Sequence, residues 1–474
     1  MALNYFLFLV AYLVILLGVG VVFTKRMSSL EDFFLASRDL SASWIFLTLV
    51  ASWIGATSFL VSVDLAYQEG VSSLWVMGVP ALLTVLIFYL FLARPIRKLS
   101  TLTLPDLVEL RYGRTVRHLA SVLIIWYMIL LASSQMVALG NFLQVFLDTS
   151  YFSCLVIGTV VVLIYSVLGG FFSVVFTDGI QFFFLSGGII GLFFFLLRSS
   201  TFQDVSQAVQ TFGKLEYFSF FAHFKTNSLI ALSFVLAWVV SPIAWQRIQA
   251  ARSVKSARQG LVATSITLFL IYGIIVGIGI LSLPFVSLEE AGGPVLSAII
   301  ATKTGKILGG ILFVAVVAAI MSTMDTGVNA GAMSMTHDVY FQLFPRKRDG
   351  HVLLVSRIST FIVAALAFLV ATQFQSILKT LGLASEIMAV GFFVPGVSMV
   401  FLKKKWPSAG FLSLVLGSGF ALIGFFCEIG ILALRWPAWP FSVPYGIALS
   451  LVGFLLGMLI DKSFRAKSRV FLIF

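Results

Sequence analysis

Apolar stretches of about 20 residues recur from one end of this chain to the other, and each is long enough to cross the hydrocarbon core of a bilayer as an α-helix. Inside lipid the backbone must satisfy its own hydrogen bonds, which leaves helices and closed barrels as the spanning structures. With 60% hydrophobic and only 11% charged residues, the sequence leaves no room for a water-soluble domain. We therefore predict an all-α polytopic membrane protein, held in a lipid bilayer by about 13 transmembrane helices.

The ends of the apolar runs give the boundaries of these helices. The first run is long enough to span and lacks the features of a cleaved signal peptide, so it is kept as the first helix. The predicted spans are 4–24, 42–66, 70–93, 115–147, 152–169, 170–198, 228–251, 259–284, 306–338, 352–376, 378–402, 409–431 and 442–461.

The net charge of +12 is a signal of membrane topology. Most Lys and Arg residues lie in alternate connections, such as "TKRMSSLEDFFLASRD" and "RIQAARSVKSARQ", while the opposite connections are short or acidic. The positive-inside rule then predicts an N-terminus outside and a C-terminus in the cytoplasm. The basic residues therefore indicate no nucleic-acid partner, and we expect an integral protein of a bacterial cytoplasmic membrane.

Two spans carry helix-weakening residues at matching places. The second contains Gly55 in "VASWIGATSFL" and the seventh contains Pro242 in "WVVSPIAWQ". Unwound backbone at membrane depth is tolerated where it lines a cavity, and such pairs are typical of inverted repeats. Gly and Pro are also generally commoner in transmembrane helices, but the matched positions favour a core of five plus five spans.

This repeat divides the chain into five predicted parts. They are a first transmembrane helix with its cytoplasmic loop (1–41), a first inverted repeat (42–198), an extracytoplasmic loop (199–227), a second inverted repeat (228–402), and peripheral helices with a short cytoplasmic tail (403–474).

The ninth span carries a polar face in "AAIMSTMDT". Ala319, Ser322, Thr323 and Thr326 fall at helical spacing, and Asp325 lies three residues after Ser322. Hydroxyl and carbonyl oxygens are hard ligands that suit a small alkali cation, and a carboxylate at membrane depth is a functional-site candidate. Ser and Thr also hydrogen-bond between packed helices, but the adjacent carboxylate favours an ion site.

Further polar and aromatic residues lie within the spans. Asp178 follows a Gly pair, where it could also cap the next turn together with Thr177, and Glu386 is a third acidic group. Trp53 lies in the first predicted break and Trp245 closes the second. An indole facing a cavity can stack on a flat solute or hold an organic cation.

Taken together, several segments resemble the sodium:solute symporter family, whose members share the inverted-repeat fold of the bacterial leucine transporter. The resemblance covers nearly the entire chain. Its segments are "EDFFLASRDL", "ASWIGATSF", "LTLPDLVELRYGR", "YSVLGGFFSVVFTDGIQ", "WQRIQAARSVKSA" and "AIMSTMDTGVNAGAMSMTHDVY".

The resemblance implies that Na⁺ is the coupling ion and gives it a principal site. That site would use the backbone carbonyls of Ala51, Ile54 and Ala319 with the hydroxyls of Ser322 and Thr323. Asp178 matches an acidic residue that in some members joins a second sodium site, together with hydroxyls at the positions of Asp325 and Thr326. This chain departs from that pattern, because an aspartate stands at position 325 in place of a small hydroxyl residue. We nevertheless expect a second sodium ion between Asp178 and Asp325, and a proton shared by the two carboxylates is the alternative.

The resemblance says less about the solute. Some choline-carrying relatives have a similar tryptophan at the position of Trp53, which favours an organic cation or a zwitterion. Sialic-acid carriers are disfavoured, because the fourth span has no arginine to bind a carboxylate. The predicted solute-pocket residues are Trp53, Thr57, Ser58, Gln135, Trp245 and Glu386.

We therefore predict a sodium-coupled secondary active symporter that imports a small organic solute by alternating access. Proton coupling through a buried carboxylate is the nearest alternative. A transporter-like sensor would need a separate signalling partner, because too few residues follow the last span for a further domain. An enzyme is not indicated, since the spans lack clustered His or Cys residues and a serine with a buried base. The sequence does not indicate an oligomeric state.

Overall fold

The computed structural model describes residues 2–24, 35–98, 101–286, 294–344, 351–374 and 376–470, which are almost entirely helical. The α-helices of five or more residues are α1 (Ala2–Thr24), α2 (Ala42–Trp53), α3 (Ser62–Glu69), α4 (Gly78–Ile87), α5 (Ala93–Arg97), α6 (Leu104–Tyr112), α7 (Arg114–Leu147), α8 (Tyr151–Ser199), α9 (Phe202–Thr211), α10 (Phe224–Val239), α11 (Pro242–Ala250), α12 (Val254–Leu281), α13 (Val295–Lys303), α14 (Lys306–Met333), α15 (Val352–Ala371), α16 (Ile377–Glu386), α17 (Phe393–Phe401), α18 (Pro407–Glu428) and α19 (Val443–Val470).

The predicted class of an all-α polytopic membrane protein is confirmed. Among the described residues nine helices are long and apolar enough to cross a bilayer, and the bent pair α10 and α11 makes a tenth. The predicted spans at 4–24 and 152–169 correspond to shorter apolar helices, Leu3–Gly18 and Tyr151–Ile164. The count of about 13 spans therefore stays a prediction.

The second predicted span is broken where Gly55 lies. Ser41 caps the start of α2, which ends at Trp53, and Ile54 leaves the helix with φ −90° and ψ 71°. Helical structure resumes as a π-helical turn at Thr57–Val61 and continues into α3. Backbone groups at a helix end lack their intrahelical partners, so this break exposes carbonyl oxygens deep inside the protein.

The seventh predicted span is broken at Pro242, also as predicted. Helix α10 ends at Val239, and α11 begins with Pro242 in its first turn, where the missing N–H costs no hydrogen bond. The two helices meet at an angle of 42°. The structure thus has an interrupted helix at the start of each predicted repeat.

Two helices form the centre of the bundle. The most apolar 18 residues of α7 are 83% buried, and so are those of α14 taken together with the turns that follow it to Leu343. The corresponding value is 33% for Ser173–Ser199 and for Val443–Ser463. The less buried helices present their apolar side chains outward, as expected of lipid-facing helices. The polar face predicted on the ninth span therefore lies inside the protein on α14.

The predicted spans 152–169 and 170–198 both fall within α8, which is helical from Tyr151 to Ser199. Two apolar stretches of α8, Tyr151–Ile164 and Ser173–Ser199, correspond to these two spans.

Candidate functional site

The two helix breaks border a common, partly open cavity of about 60 Å³. Its walls come from both interrupted spans, from α7 and from α14. The described residues that line it are Ser52, Trp53, Gly55, Thr57, Ser58, Met77, Tyr127, Leu131, Gln135, Trp238, Ser241, Ile243, Ala244, Thr323 and Leu381. None of these residues carries a formal charge.

The hydroxyl face of α14 lies against the carbonyl end of α2. Ser322 Oγ donates to the carbonyl oxygens of Ala51 and Ala319, each at 2.9 Å. Thr323 Oγ1 donates to the carbonyl oxygen of Ser52 at 3.2 Å. Four of the five residues predicted for the principal sodium site therefore form one oxygen cluster at the break, and the fifth, Ile54, is the buried residue that ends α2.

The chemistry of this cluster fits a small alkali cation. Its donors are uncharged hard oxygens from backbone carbonyls and hydroxyls, the ligand type that suits such ions. They are supplied by two helices, and each hydroxyl already lies within hydrogen-bond distance of a carbonyl. A cation bound among these oxygens would replace the hydroxyl hydrogen atoms as the positively charged partner of the carbonyl oxygens.

Gly55 allows α2 and α14 to approach so closely. A Cβ atom at this position would lie 2.4 Å from Thr323 Oγ1 and 2.8 Å from Gln135 Oε1. Gln135, on α7, accepts a hydrogen bond of 2.8 Å from the backbone N–H of Ala56. Gln135 therefore forms a hydrogen bond with the backbone at the break and also lines the cavity.

Four of the six residues predicted for the solute pocket line this cavity: Trp53, Thr57, Ser58 and Gln135. Ser58 Oγ donates to the carbonyl oxygen of Trp53 at 2.7 Å, which fixes the turn after the break. The indole of Trp53 meets that of Trp238 edge to face, with ring centroids 6.3 Å apart. Two indoles and the ring of Tyr127 thus border the same space.

The structure does not bring Trp245 and Glu386 into this cavity. The indole of Trp245 donates to the carbonyl oxygen of Val239 at 2.9 Å and lines a separate, smaller cavity beside α11. Glu386 accepts a hydrogen bond from Ser442 and lines a third cavity with Trp436 and Trp439. The directions of these two side chains depend on how each helix is rotated about its own axis, which the sequence alone does not determine.

A buried arginine that was not predicted from the sequence lies beside the oxygen cluster. Arg247, on α11, is fully buried. Its Nη2 atom is 2.5 Å from Ser52 Oγ, 2.8 Å from Thr326 Oγ1 and 3.4 Å from Asp178 Oδ2. Its Nε donates to Thr48 Oγ1 at 3.0 Å, and Thr48 in turn donates to Asp178 at 2.5 Å.

Arg247 was missed because the segment "RIQAARSVKSARQ" was counted among the basic connections, although position 247 lies within the predicted span 228–251. In the structure α11 extends to Ala250 and contains Arg247. A signal for it was present in the sequence, because buried carboxylates need a partner and no cationic residue had been paired with Asp178 or Asp325.

A second buried arginine lies at the other end of α14. Arg117 pairs with Asp106 at 2.8 Å, with Asp338 at 3.3 Å and with Glu109. His337 Nδ1 lies 2.9 Å from Asp338 Oδ1. Asp106, His337 and Asp338 are close enough together to hold a metal ion, but the guanidinium already supplies the positive charge there.

The chain is similar to several known proteins. The family model described as sodium:solute symporter family matches residues 33–417. The chain is 23% identical to the osmoregulated proline transporter OpuE of Bacillus subtilis, over 97% of this chain and 96% of that protein. It is 25% identical to a sodium/glucose cotransporter of Vibrio parahaemolyticus, over 87% and 83% of the two chains. It is 24% identical to the sodium/pantothenate symporter of Escherichia coli, over 86% and 85%.

Among solved structures, a substrate-bound, outward-open state of a Na⁺-coupled sialic acid symporter superimposes with a TM-score of 0.82. The match covers 96% of this chain and 97% of that chain at 17% identity. At this level of identity the likeness establishes a shared fold, which is that of a helical membrane symporter.

Proposed function

The chain belongs to the sodium:solute symporter family, and on that premise we propose that the oxygen cluster between α2 and α14 binds the coupling sodium ion while the adjacent cavity binds a small zwitterionic solute. The protein is an integral membrane protein that couples solute import to sodium. The residue assignments and the class of solute are the proposal.

The sodium assignment is supported by the contact of Ser322 with the carbonyl oxygens of Ala51 and Ala319. These contacts join the end of an interrupted helix to an unbroken one. Sodium bound here would stabilise that contact, and its release would free α2 to move. This is the link between ion binding and alternating access that symport requires.

The solute assignment is supported by two features of the cavity. Both interrupted spans resume as helices at its wall, through Thr57 and Ser58 on one side and Ile243 and Ala244 on the other. Helix N-termini carry partial positive charge and bind carboxylates. The indoles of Trp53 and Trp238 border the cavity, and indole rings attract ammonium groups, so an amino-acid-like zwitterion matches both features without a charged side chain in the wall.

We also propose that the N-terminus lies outside and the C-terminus in the cytoplasm of a bacterial cell. The support is the concentration of Lys and Arg in alternate connections. In this orientation α2 and α11 form the cytoplasmic halves of the two interrupted spans.

A thermal-shift screen tests the function without knowledge of the solute. The purified chain is heated in sodium or potassium chloride with amino acids, sugars, carboxylates or quaternary amines. A ligand that binds the folded state raises the unfolding temperature, and we expect an amino acid to do so in sodium only. If a sugar or a quaternary amine stabilises the chain and no amino acid does, the proposed class of solute is wrong. An equal shift in sodium and potassium chloride would contradict sodium coupling.

Trp53→Ala is expected to weaken binding of the solute found in that screen more than binding of sodium. Loss of a desolvated cation–π contact costs about 1–2 kcal/mol, which is about 5- to 30-fold in affinity. The measurement is solute titration in saturating sodium, followed by sodium titration without solute. Trp126→Ala is the matched control, because Trp126 packs against Phe425 away from the cavity. An equal loss in both variants would remove Trp53 from the solute site.

A further inference from the structure

Arg247 lies where the family resemblance leads one to expect a second sodium ion. The oxygens assigned to that ion belong to Asp178 and Thr326, with position 325 beside them. In the structure both Asp178 Oδ2 and Thr326 Oγ1 face the same nitrogen atom, Nη2 of Arg247, at 3.4 and 2.8 Å. Nη2 therefore occupies the space between these two oxygens, and a sodium ion placed there would be repelled by the charge of the guanidinium.

The guanidinium is held on several sides. Ser52 and Thr48 of α2 accept hydrogen bonds from its Nη2 and Nε, the carbonyl of Ile243 accepts from Nη1 at 3.4 Å, and the ring of Phe171 lies 5.5 Å from its central carbon. A buried arginine with its donors satisfied in this way is a fixed part of the structure.

Ser52 connects this cluster to the proposed sodium site. Its carbonyl oxygen accepts from Thr323, which belongs to the sodium cluster, while its side-chain oxygen accepts from Arg247 and lies 3.2 Å from Thr326 Oγ1. The two cation positions are therefore neighbours, one turn apart on α14 and joined through one residue of α2.

The formal charges of the combined cluster balance with a single sodium ion. Asp178 and Asp325 are both fully buried, and both interact electrostatically with Arg247. With both carboxylates ionised, they and the one guanidinium leave one negative charge, which one sodium ion at the neighbouring site neutralises. This charge balance explains the aspartate at position 325. Because the arginine occupies the second cation position, a second carboxylate is needed for the cluster to attract sodium.

We propose that Arg247 serves as a built-in second cation, so that this carrier binds one sodium ion per cycle and Asp325 restores the negative charge that attracts it. The proposal rests on the sodium assignment above and deepens it by fixing the stoichiometry. It also couples α11 to sodium binding. Arg247 belongs to α11, and it contacts carboxylate, hydroxyl and backbone groups next to the proposed ion site at the end of α2.

The test is equilibrium binding of radiolabelled sodium to the purified full-length chain in lipid nanodiscs. We expect one sodium ion per chain and no cooperativity. Ser322→Ala should weaken this binding by about tenfold or more, whereas Asp325→Asn should weaken it by roughly tenfold through lost attraction without changing the number of ions. Asp338→Asn is the matched control, because Asp338 is a buried aspartate paired with a different arginine, and it should leave sodium binding unchanged.

Arg247→Gln is the decisive variant. Removal of the guanidinium frees the oxygens of Asp178 and Thr326, and we expect a second bound sodium ion, while Arg247→Lys should retain one. If Arg247→Gln does not fold, Asp178→Asn gives the same information: the proposal predicts one ion in this variant and in the parent, and a second sodium site predicts a fall from two ions to one.

The outcomes separate the two proposals. Two cooperative sodium ions in the parent chain, or no second ion in folded Arg247→Gln, would overturn the role of Arg247 and leave the principal site intact. Unchanged sodium binding in Ser322→Ala would overturn the principal site itself.

Discussion

Replacement of Ser322 by alanine together with Thr323 by valine is expected to abolish sodium-driven uptake. Each substitution removes a hydroxyl oxygen from the cluster at the end of α2. Hydrogen bonds and ligand contacts to charged groups contribute about 1.5–3 kcal/mol each, so each change alone should raise the half-saturating sodium concentration about 10- to 150-fold. The measurement is initial uptake against sodium concentration in proteoliposomes, for the single variants and the pair.

The control for this experiment must remove the same groups elsewhere. Ser418 and Thr360 are buried hydroxyl residues that donate to carbonyls of their own helices, at 2.5 and 2.9 Å. Ser418→Ala and Thr360→Val should leave sodium activation unchanged. Normal sodium activation in the Ser322 and Thr323 variants would show that the ion binds at another place.

The positions of the helix breaks could be predicted from the sequence because their causes are local. Gly55 and Pro242 act within their own turns, through backbone freedom and a missing N–H. The hydroxyl face of α14 is equally local, because residues at i, i+3, i+4 and i+7 share one side of any helix. These features predicted both interrupted spans and the polar face of α14, whereas the pairing of Ser322 with Ala51 was implied only by the family resemblance.

The direction of single side chains could not be predicted in the same way. One residue along a helix rotates the side chain by about 100°, so Trp53 faces the cavity while Trp245, inside the other half-helix, faces away from it. Arg247 depends on three helices that are distant in sequence. Its partners become visible only when α2, α8 and α14 are brought together, whereas the sequence alone places a basic residue near the end of a span.

Gly55→Ala is expected to reduce uptake at least tenfold, although it adds only one methyl group. The added Cβ would lie 2.4 Å from Thr323 Oγ1 and 2.8 Å from Thr323 Cβ, distances that real Cβ atoms essentially never show. Thr323 is short and branched, so it cannot turn away without a shift of α14 or of the break. Overpacking of this kind costs about 1–3 kcal/mol, and here the strain falls on a sodium ligand.

The same methyl group would also lie 2.8 Å from Gln135 Oε1, the acceptor for the N–H of Ala56. Solute binding should therefore fall together with sodium binding, unlike in Trp53→Ala, where solute binding falls first. Gly327→Ala is the matched control on α14, because its Cβ would meet Ala132 at an ordinary 3.5 Å. Both variants are compared by uptake and by sodium-dependent thermal shift at equal expression. If Gly55→Ala transports normally, α2 and α14 do not approach this closely during sodium binding, and the oxygen cluster at the break is not the ion site.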